Sequence, residues 1–121
     1  MTTTVDIAWA AGLLEGEGCF SWQNTPKIQV ASTDLDVIVR VGYLINPRIT
    51  VKVKRSKSGY HVKRMYYFQA NGIEAAQWMM TIYILMSDRR KNKIRWILSN
   101  WKQMNGKWGR MRRFIPEAVN E

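Results

Sequence analysis

The sequence predicts a single α+β domain with the element order α-β-β-α-β-β-α-α, in which two hairpins make a four-stranded antiparallel sheet. Its length of 121 residues and its hydrophobic content of 46% suit one domain with its own core. Two pairs of segments alternate apolar and polar residues around turn signals, which is typical of hairpins. Four further segments repeat apolar residues at helical spacing before, between and after the hairpins.

The first helix is predicted to begin at Thr4 or Asp6, either of which can act as an N-cap. Its apolar residues continue to Leu14. Gly16 and Gly18 follow, and we expect the helix to stop in these glycines.

Two hairpins are predicted from period-2 alternation. The segments "CFSWQ" and "KIQVAS" flank the turn signal "NTP", and alternation places Phe20 and Val30 on an inward face. The longer segment "RITVKVKRSKSGYHVKRMYYFQA" turns at Ser58-Gly59, with Phe68 inward on its return strand. We therefore expect one sheet with an apolar face and a polar, basic face.

The second helix is predicted to begin with Thr33 as N-cap and Asp36 three residues later, an arrangement that resembles a capping box. Asn46 and the proline after it end the segment. The helical periodicity of this segment comes from Leu35, Ile38, Val39 and Leu44.

A third helix is predicted in "NGIEAAQWMMTIYILM", and a fourth begins at Ser87 or Asp88. The apolar face of the fourth helix consists of Ile94, Ile97, Leu98 and Trp101. We assign residues 1–102 to the domain and residues 103–121 to a basic C-terminal tail, rich in glycine and irregular or ordered only on binding.

The net charge of +10 indicates a polyanionic partner, either nucleic acid or another polyanion such as an acidic membrane. Clustering of the basic residues favours nucleic acid. The single cysteine, Cys19, excludes an internal disulfide, and one cysteine with one histidine argues against a structural zinc site. The N-terminus lacks the basic start of a signal peptide, and the longest apolar stretch is about half a membrane span. We expect a soluble, intracellular protein without a membrane partner.

The stretch "AAGLLEGEGCFSW" carries the features from which a site can be argued. Ala8, Gly12 and Gly16 lie four residues apart with Ala11 beside them, so they form a smooth helix face. Such a face lets two helix backbones approach closely. It packs either against the chain's own sheet or against a second copy of the chain.

Glu15 and Glu17 lie at the C-terminal end of this helix, where the helix dipole disfavours negative charge. Carboxylate oxygens suit hard cations such as Mg²⁺, and two copies meeting along the helix would bring these acids together. The alternative is that both acids are solvated or paired with arginine.

Residues 10–18, "AAGLLEGEG", resemble the nine-residue signature of the LAGLIDADG homing endonucleases. The downstream segments "CFSW" and "QVASTDLDV", the basic second hairpin and the basic last helix also resemble short, phage-type members with a single motif. The resemblance covers roughly residues 5–102. It implies an αββαββα core, a homodimer formed through the signature helices, and a saddle-like sheet over the DNA major groove. Two positions depart from the signature: Ala10 replaces leucine, and Glu17 replaces the usual aspartate.

The resemblance also implies the site residues. It makes Glu17 the metal-binding acid next to Gly18, with Mg²⁺ or another divalent cation as cofactor. A polar residue at the end of the second strand falls near Ser32, and a basic residue near the start of the last helix falls on Arg89 or Arg90. The implied catalytic set is Glu17, Ser32, Arg89 and Arg90. The implied dimer interface is Ala8, Ala11, Gly12, Glu15 and Gly16.

Outward positions on the predicted strands are candidates for reading double-stranded DNA, because two-stranded ribbons fit the major groove. They are Ser21, Gln23, Lys27, Gln29, Lys52, Lys54, Lys63, Tyr67 and Gln69. Arg110, Arg112 and Arg113 of the tail are expected to clamp the backbone. The expected function is a metal-dependent, sequence-specific double-strand DNA endonuclease, acting as a homodimer on a long pseudo-palindromic site. The alternatives are a catalytically inactive DNA-binding regulator on the same fold and an RNA-splicing maturase.

Overall fold

A computed structural model describes residues 2–46, 52–58 and 61–108, with the backbone alone at 52–58, 61–63 and 105–108. The elements are α1 (Thr4–Glu17), β1 (Gly18–Trp22), β2 (Pro26–Ser32), α2 (Leu35–Ile45), β3 (Lys52–Ser58), β4 (His61–Asn71), α3 (Ile73–Ile82), a short 3₁₀ turn (Tyr83–Leu85) and α4 (Asp88–Trp108). The predicted α+β class and order of elements are confirmed.

The strands form an antiparallel sheet in the order β1-β2-β4-β3. Val30 pairs with Gly18 on one side and with Phe68 on the other. The helices cover one face of this sheet. Its buried apolar residues are Phe20, Ile28, Val30, Phe68 and Ala70. The alternation predicted for β1, β2 and the second half of β4 is therefore confirmed.

Helices α1, α3 and α4 complete the core above this face. Leu14 of α1 is fully buried, and so is Met79 of α3. The predicted apolar face of α4 is also buried, at Ile94, Ile97, Leu98 and Trp101. Burial of one such aliphatic side chain stabilises a fold by roughly 1.5–3 kcal/mol, so the sheet and helices hold each other in place.

The first helix begins at Thr4 itself, so the assignment of Thr4 or Asp6 as N-cap is wrong. Thr3 is the N-cap: its hydroxyl accepts from the Asp6 N–H at 3.1 Å, and the Asp6 carboxylate accepts from the Thr3 N–H at 3.1 Å. This is a capping box. The helix also runs through Gly16 to Glu17, because intact helical bonding there outweighs the weak helix propensity of glycine.

Gly18 ends α1 as its C-cap, and its N–H donates to the Leu14 carbonyl. A Cβ at this position would lie 2.6 Å from the Leu14 carbonyl oxygen. Only glycine therefore allows the chain to pass directly from the helix into β1.

The capping box predicted at Thr33 and Asp36 is wrong. The N-cap of α2 is Asp34, without a side-chain capping bond, and its N–H donates instead to the Ser32 hydroxyl at 3.0 Å. The buried face is also rotated from the predicted one. It consists of Ile38, Val41, Gly42 and Ile45, whereas Leu35 and Val39 are exposed. Gly42 explains the rotation, since its missing side chain lets α2 sit closely over the Phe68 ring.

Helix α4 continues to Trp108, past the predicted domain boundary at residue 102. Residues 103–108, predicted as irregular tail, are therefore helical, and residues 109–121 lie outside the described residues. The predicted turn at Ser58-Gly59 lies partly outside them as well. Within the described ranges, none of the helices combines the length and apolarity needed to cross a membrane.

Candidate functional site

The end of α1 and the beginning of α4 meet through Glu15. Its carboxylate accepts hydrogen bonds from the backbone N–H of Ser87 and from the Ser87 hydroxyl, the latter at 3.1 Å. Ser87 directly precedes α4, and its carbonyl takes the helical bond from the Lys91 N–H. Glu15 therefore supplies negative charge at a helix N-terminus, where the dipole favours it. The Ser87 N–H is also the main reason that the pKa of Glu15 is lowered.

Arg90 makes the reciprocal contacts from α4 to α1. Its guanidinium donates to the Gly18 carbonyl at 2.7 Å and to the Glu15 carbonyl at 3.1 Å, and its Nε lies 3.5 Å from the Glu15 carboxylate. It also lies over the Phe20 ring, with 13% of its side chain exposed. A cation at the C-terminus of α1 complements the dipole there. Each helix end is thus capped by a charged residue of the other helix.

These contacts involve three residues with predicted roles, and those roles stay predictions. The Glu15 carboxylate, predicted at the dimer interface, is bonded to Ser87 and paired with Arg90 of its own chain. The Arg90 guanidinium, predicted to be catalytic, is bonded within the chain at the helix junction. The Gly18 carbonyl, predicted beside the metal, accepts one hydrogen bond from Arg90.

Glu17 differs from Glu15 in its exposure and in its lack of partners in the described part of the chain. It is the last residue of α1 and is exposed, and its side chain forms no hydrogen bond or ion pair with any described residue. The described ranges contain no group of three or more His, Cys, Asp or Glu side chains that could hold a metal ion. One chain therefore presents a single available carboxylate at this helix end.

The other two predicted catalytic residues differ in their exposure to solvent. Arg89 is exposed in the first turn of α4. Ser32 ends β2 at the same end of the sheet as the α1–β1 junction, because Gly18 pairs with Val30. Its hydroxyl accepts from the Asp34 N–H and is partly buried.

The outer face of α1 is exposed to solvent. Ala8, Gly12 and Gly16 are exposed, and among the described residues no atom beyond the neighbouring helix backbone lies within 4 Å of a Cβ built on either glycine. Val5, one turn before Ala8, is 73% exposed. Ala11 is only 3% exposed and belongs to the chain's own core, so its assignment to a dimer interface is wrong. We call Ala8, Gly12 and Gly16 the small-residue stripe.

The face of the sheet opposite the helices carries polar residues in rows across the strands. Gln29 pairs with Cys19 on one side and with Gln69 on the other. Of the predicted DNA-reading residues, five lie at alternating positions on this face: Ser21, Lys27, Gln29, Tyr67 and Gln69. Gln23 lies in the turn after β1 and accepts from the Lys27 ammonium at 2.8 Å.

The other predicted DNA-reading residues lie where the structure describes the backbone alone, or outside the described residues. The register pairs Lys52 with Tyr67, Lys54 with Met65 and Ser56 with Lys63. The side chains of the three lysines lie outside the description. Arg110, Arg112 and Arg113 lie outside the described residues altogether.

A groove of about 710 Å³ runs between β1 and α4. Gly18, Cys19 and Phe20 line one wall, and the other wall consists of Arg89, Arg90, Asn92, Lys93 and Trp96. Trp96 is 51% exposed although it is a large aromatic residue. We did not predict this groove from the sequence. The spacing of Arg89, Asn92, Lys93 and Trp96 at i, i+3, i+4 and i+7 is the signal that marks them as one helix face.

Comparisons of the chain with protein-family models, with curated proteins and with solved structures found no match. The function is therefore argued from the chain's own residues. Those residues are the exposed Glu17, the small-residue stripe, the polar sheet face and the basic groove beside β1.

Proposed function

We propose that this protein is a metal-dependent, sequence-specific double-strand DNA endonuclease of the LAGLIDADG type. It acts as a homodimer on a long pseudo-palindromic site. In this proposal the α+β domain has the αββαββα arrangement of that family, with a saddle-like sheet lying in the DNA major groove.

The observation that carries the proposal is the position of Glu17 at the end of the small-residue stripe. Helices approach most closely where side chains are small, and a twofold contact places the same surface on both sides. If two copies pack in parallel along Ala8, Gly12 and Gly16, with the twofold axis running along the helices, their Glu17 side chains come to the same end of the interface. One carboxylate per chain then becomes a pair near the symmetry axis.

This carboxylate pair fits Mg²⁺. Magnesium is typically held by one or two carboxylates together with water and substrate phosphates, so a larger protein ligand set is not needed. Glu17 of each chain would hold the ion, which when bound would supply positive charge at the scissile phosphate. Arg89, exposed beside this helix end, would contribute a second positive charge toward the phosphate. Glu15 and Arg90 would fix the helix end from which Glu17 extends.

The polar sheet face supports DNA as the substrate. Strands in the major groove can read base edges, and glutamine can bond adenine through two hydrogen bonds. Gln29 and Gln69 are neighbours across β2 and β4 at the middle of this face, and Lys27 adds positive charge. The net charge of +10 supplies the general attraction to phosphate.

The test is the substitution Glu17→Gln, measured on a duplex that the wild-type protein cuts. We expect the cleavage rate to fall by about 10²-fold or more, the scale on which removal of one charge-stabilising group acts. DNA binding in the absence of Mg²⁺ is expected to persist, because the substitution removes a negative charge and leaves the sheet face intact.

Asp36→Asn is the matched control, since Asp36 is an exposed carboxylate in the first turn of α2. It should cut at nearly the wild-type rate. Wild-type cleavage by the Glu17→Gln protein would refute the assignment of Glu17.

A DNA-binding protein that does not cut is the second candidate. The observation that favours it is the engagement of Arg90 in the α1–α4 junction, which leaves Arg89 as the one exposed cation of the two predicted for catalysis. Protection of a specific duplex from chemical cleavage, without Mg²⁺-dependent cutting of that duplex, would support this candidate over the endonuclease.

A further inference from the structure

The groove between β1 and α4 combines positive charge with an exposed aromatic ring. Arg89 and Lys93 are exposed cations on its helical wall, and Arg90 lies deeper in it. The residues that line the groove include no Asp or Glu. Its volume of about 710 Å³ is within the range of roughly 300–1,000 Å³ that small-molecule sites occupy. The groove is therefore suited to an anionic ligand of moderate size.

Trp96 gives the groove a second property. Its indole is half exposed, which is unusual for the largest apolar side chain, and the Lys93 ammonium lies over one face of the ring at 4.9 Å from its centroid, so a stacking base takes the other face or displaces this flexible side chain. A ring and a cation this close together can bind the two chemically different parts of a nucleotide. The base stacks on the indole while the ammonium contacts the phosphate.

An indole can stack on a base only if a face of that base is uncovered. Bases inside a duplex are covered on both faces by their neighbours, whereas an unpaired base exposes its faces. Proteins that hold single strands accordingly combine a basic groove with aromatic side chains. This groove has both features, and its volume suits one or a few nucleotides.

We propose that the β1–α4 groove binds an unpaired nucleotide of a DNA strand. Trp96 stacks against the base, and Arg89 and Lys93 contact the adjoining phosphates. The assignment deepens the proposed function, and it rests on that function only for the choice of nucleic acid as partner. It does not depend on cutting. Since Gly18 lines the groove and directly follows Glu17, a strand that leaves the duplex near Glu17 has this groove beside it.

The test measures binding of a short fluorescent single strand of mixed sequence, and of its duplex, by the full-length protein without Mg²⁺. We expect Trp96→Ala to weaken single-strand binding by about tenfold, within the range seen when a base-stacking aromatic residue is replaced by alanine. Duplex binding should change by less than about threefold, because the duplex presents no free base face. Trp96→Phe keeps an aromatic ring and should restore most of the single-strand affinity.

Two matched variants separate the groove from general effects. Tyr43→Ala removes an exposed aromatic residue from α2, and Arg95→Gln removes a charge from α4 at a residue that bonds to Tyr83 and does not line the groove. Neither variant should change the preference between single strand and duplex. Arg89→Gln should weaken single-strand binding and reduce its salt dependence.

Cys19 gives an independent readout, because it lines the groove and is the chain's one cysteine. A saturating single strand should slow its modification by a thiol reagent in the wild-type protein. The same concentration of single strand should slow the modification of Cys19 less in the Trp96→Ala protein.

The groove assignment is overturned if Trp96→Ala binds the single strand as tightly as wild type. It is also overturned if that variant weakens single strand and duplex equally while unfolding at the wild-type temperature. Absence of cleavage by the wild-type protein would count against the endonuclease and leave these binding results unaffected.

Discussion

At the scale of single residues, two glutamates separated by one glycine have opposite roles. Glu15 is partly buried, bonded to Ser87 and paired with Arg90, whereas Glu17 is exposed at the end of the helix. The difference follows from helical geometry, since two residues along a helix correspond to a rotation of about 200°. Glu15 therefore faces α4 while Glu17 faces away from it.

The lowered pKa of Glu15 makes a prediction about stability. Its hydrogen bonds favour the ionised form in the folded protein, so the unfolded chain binds a proton first as the pH falls. The contribution is fully present above the ordinary glutamate pKa of about 4.3 and is lost as the pH falls through the lower pKa of the folded state. Glu15→Gln should reduce the free energy of unfolding at neutral pH, and the difference from wild type should shrink in acid.

Chemical denaturation of both proteins across this pH range measures the effect. Asp6→Asn serves as the comparison variant, because it removes a carboxylate at the far end of α1 from the α1–α4 junction. The pKa of Asp6 is also lowered, mainly by the hydrogen bond from the Thr3 N–H. A difference between wild type and Glu15→Gln that stays constant from neutral pH down to strong acid would contradict the assigned role of the Glu15 carboxylate.

The sequence predicted some of these residue roles and could not predict others. Alternation was sufficient to assign the inward residues of β1 and β2, because side chains on a strand alternate strictly. Pairing of Glu15 with an arginine was one of the predicted alternatives. Its contact with Ser87 was not predictable, since Ser87 lies 72 residues away and nothing in the local pattern specifies that contact. The burial of Ala11 was missed because Ala11 and Gly12 are both small, and their size does not tell which one faces the core.

At the scale of elements, α1 has two apolar faces, one in the core and one open. A helix that is apolar all round is normally buried on every side. The exposed small-residue stripe is therefore the surface of α1 that a second helix could cover. Helix α2, in contrast, shows how a rotation of the buried face escapes sequence analysis: the predicted periodicity was helical, but the close approach at Gly42 set a different face against Phe68.

Gly12 allows the dimer contact to be tested separately from folding. Beyond the neighbouring helix backbone, a Cβ at position 12 meets no atom of the described residues within 4 Å in the monomer. Replacing glycine in a helix interior by a better helix former stabilises the helix by up to about 1 kcal/mol. Gly12→Leu should therefore leave the monomer at least as stable as wild type. In the proposed dimer it should force the two helices apart, so the dissociation constant should rise by tenfold or more.

Sedimentation equilibrium of the free proteins measures this constant, and circular dichroism confirms folding. Gln77→Leu, which places the same side chain at an exposed position on α3, should leave the dissociation constant unchanged. Equal self-association of the wild-type and Gly12→Leu proteins would exclude α1 as the dimer contact.

At the scale of the whole molecule, the covered apolar face, the polar face and the basic groove lie at different places on the sheet. The helices cover one sheet face, the opposite face is polar, and a basic groove lies at the edge strand β1. The sequence pattern predicted the α+β class, because that class depends on averages over many residues. The polyanionic partner indicated by the composition stays a prediction. The groove depends on the packing of α4 against β1, which the sequence pattern does not specify.

The central claim is that the protein cuts specific DNA with the help of a divalent cation. The most direct measurement is selection of cleaved sites from a randomised duplex library, with and without Mg²⁺. We predict that fragments appear only with Mg²⁺, and that their sequences define two related half-sites in inverted orientation, because a homodimer reads DNA with twofold symmetry. Enrichment of bound sequences without any Mg²⁺-dependent cut, or cuts without a shared sequence, would contradict the claim.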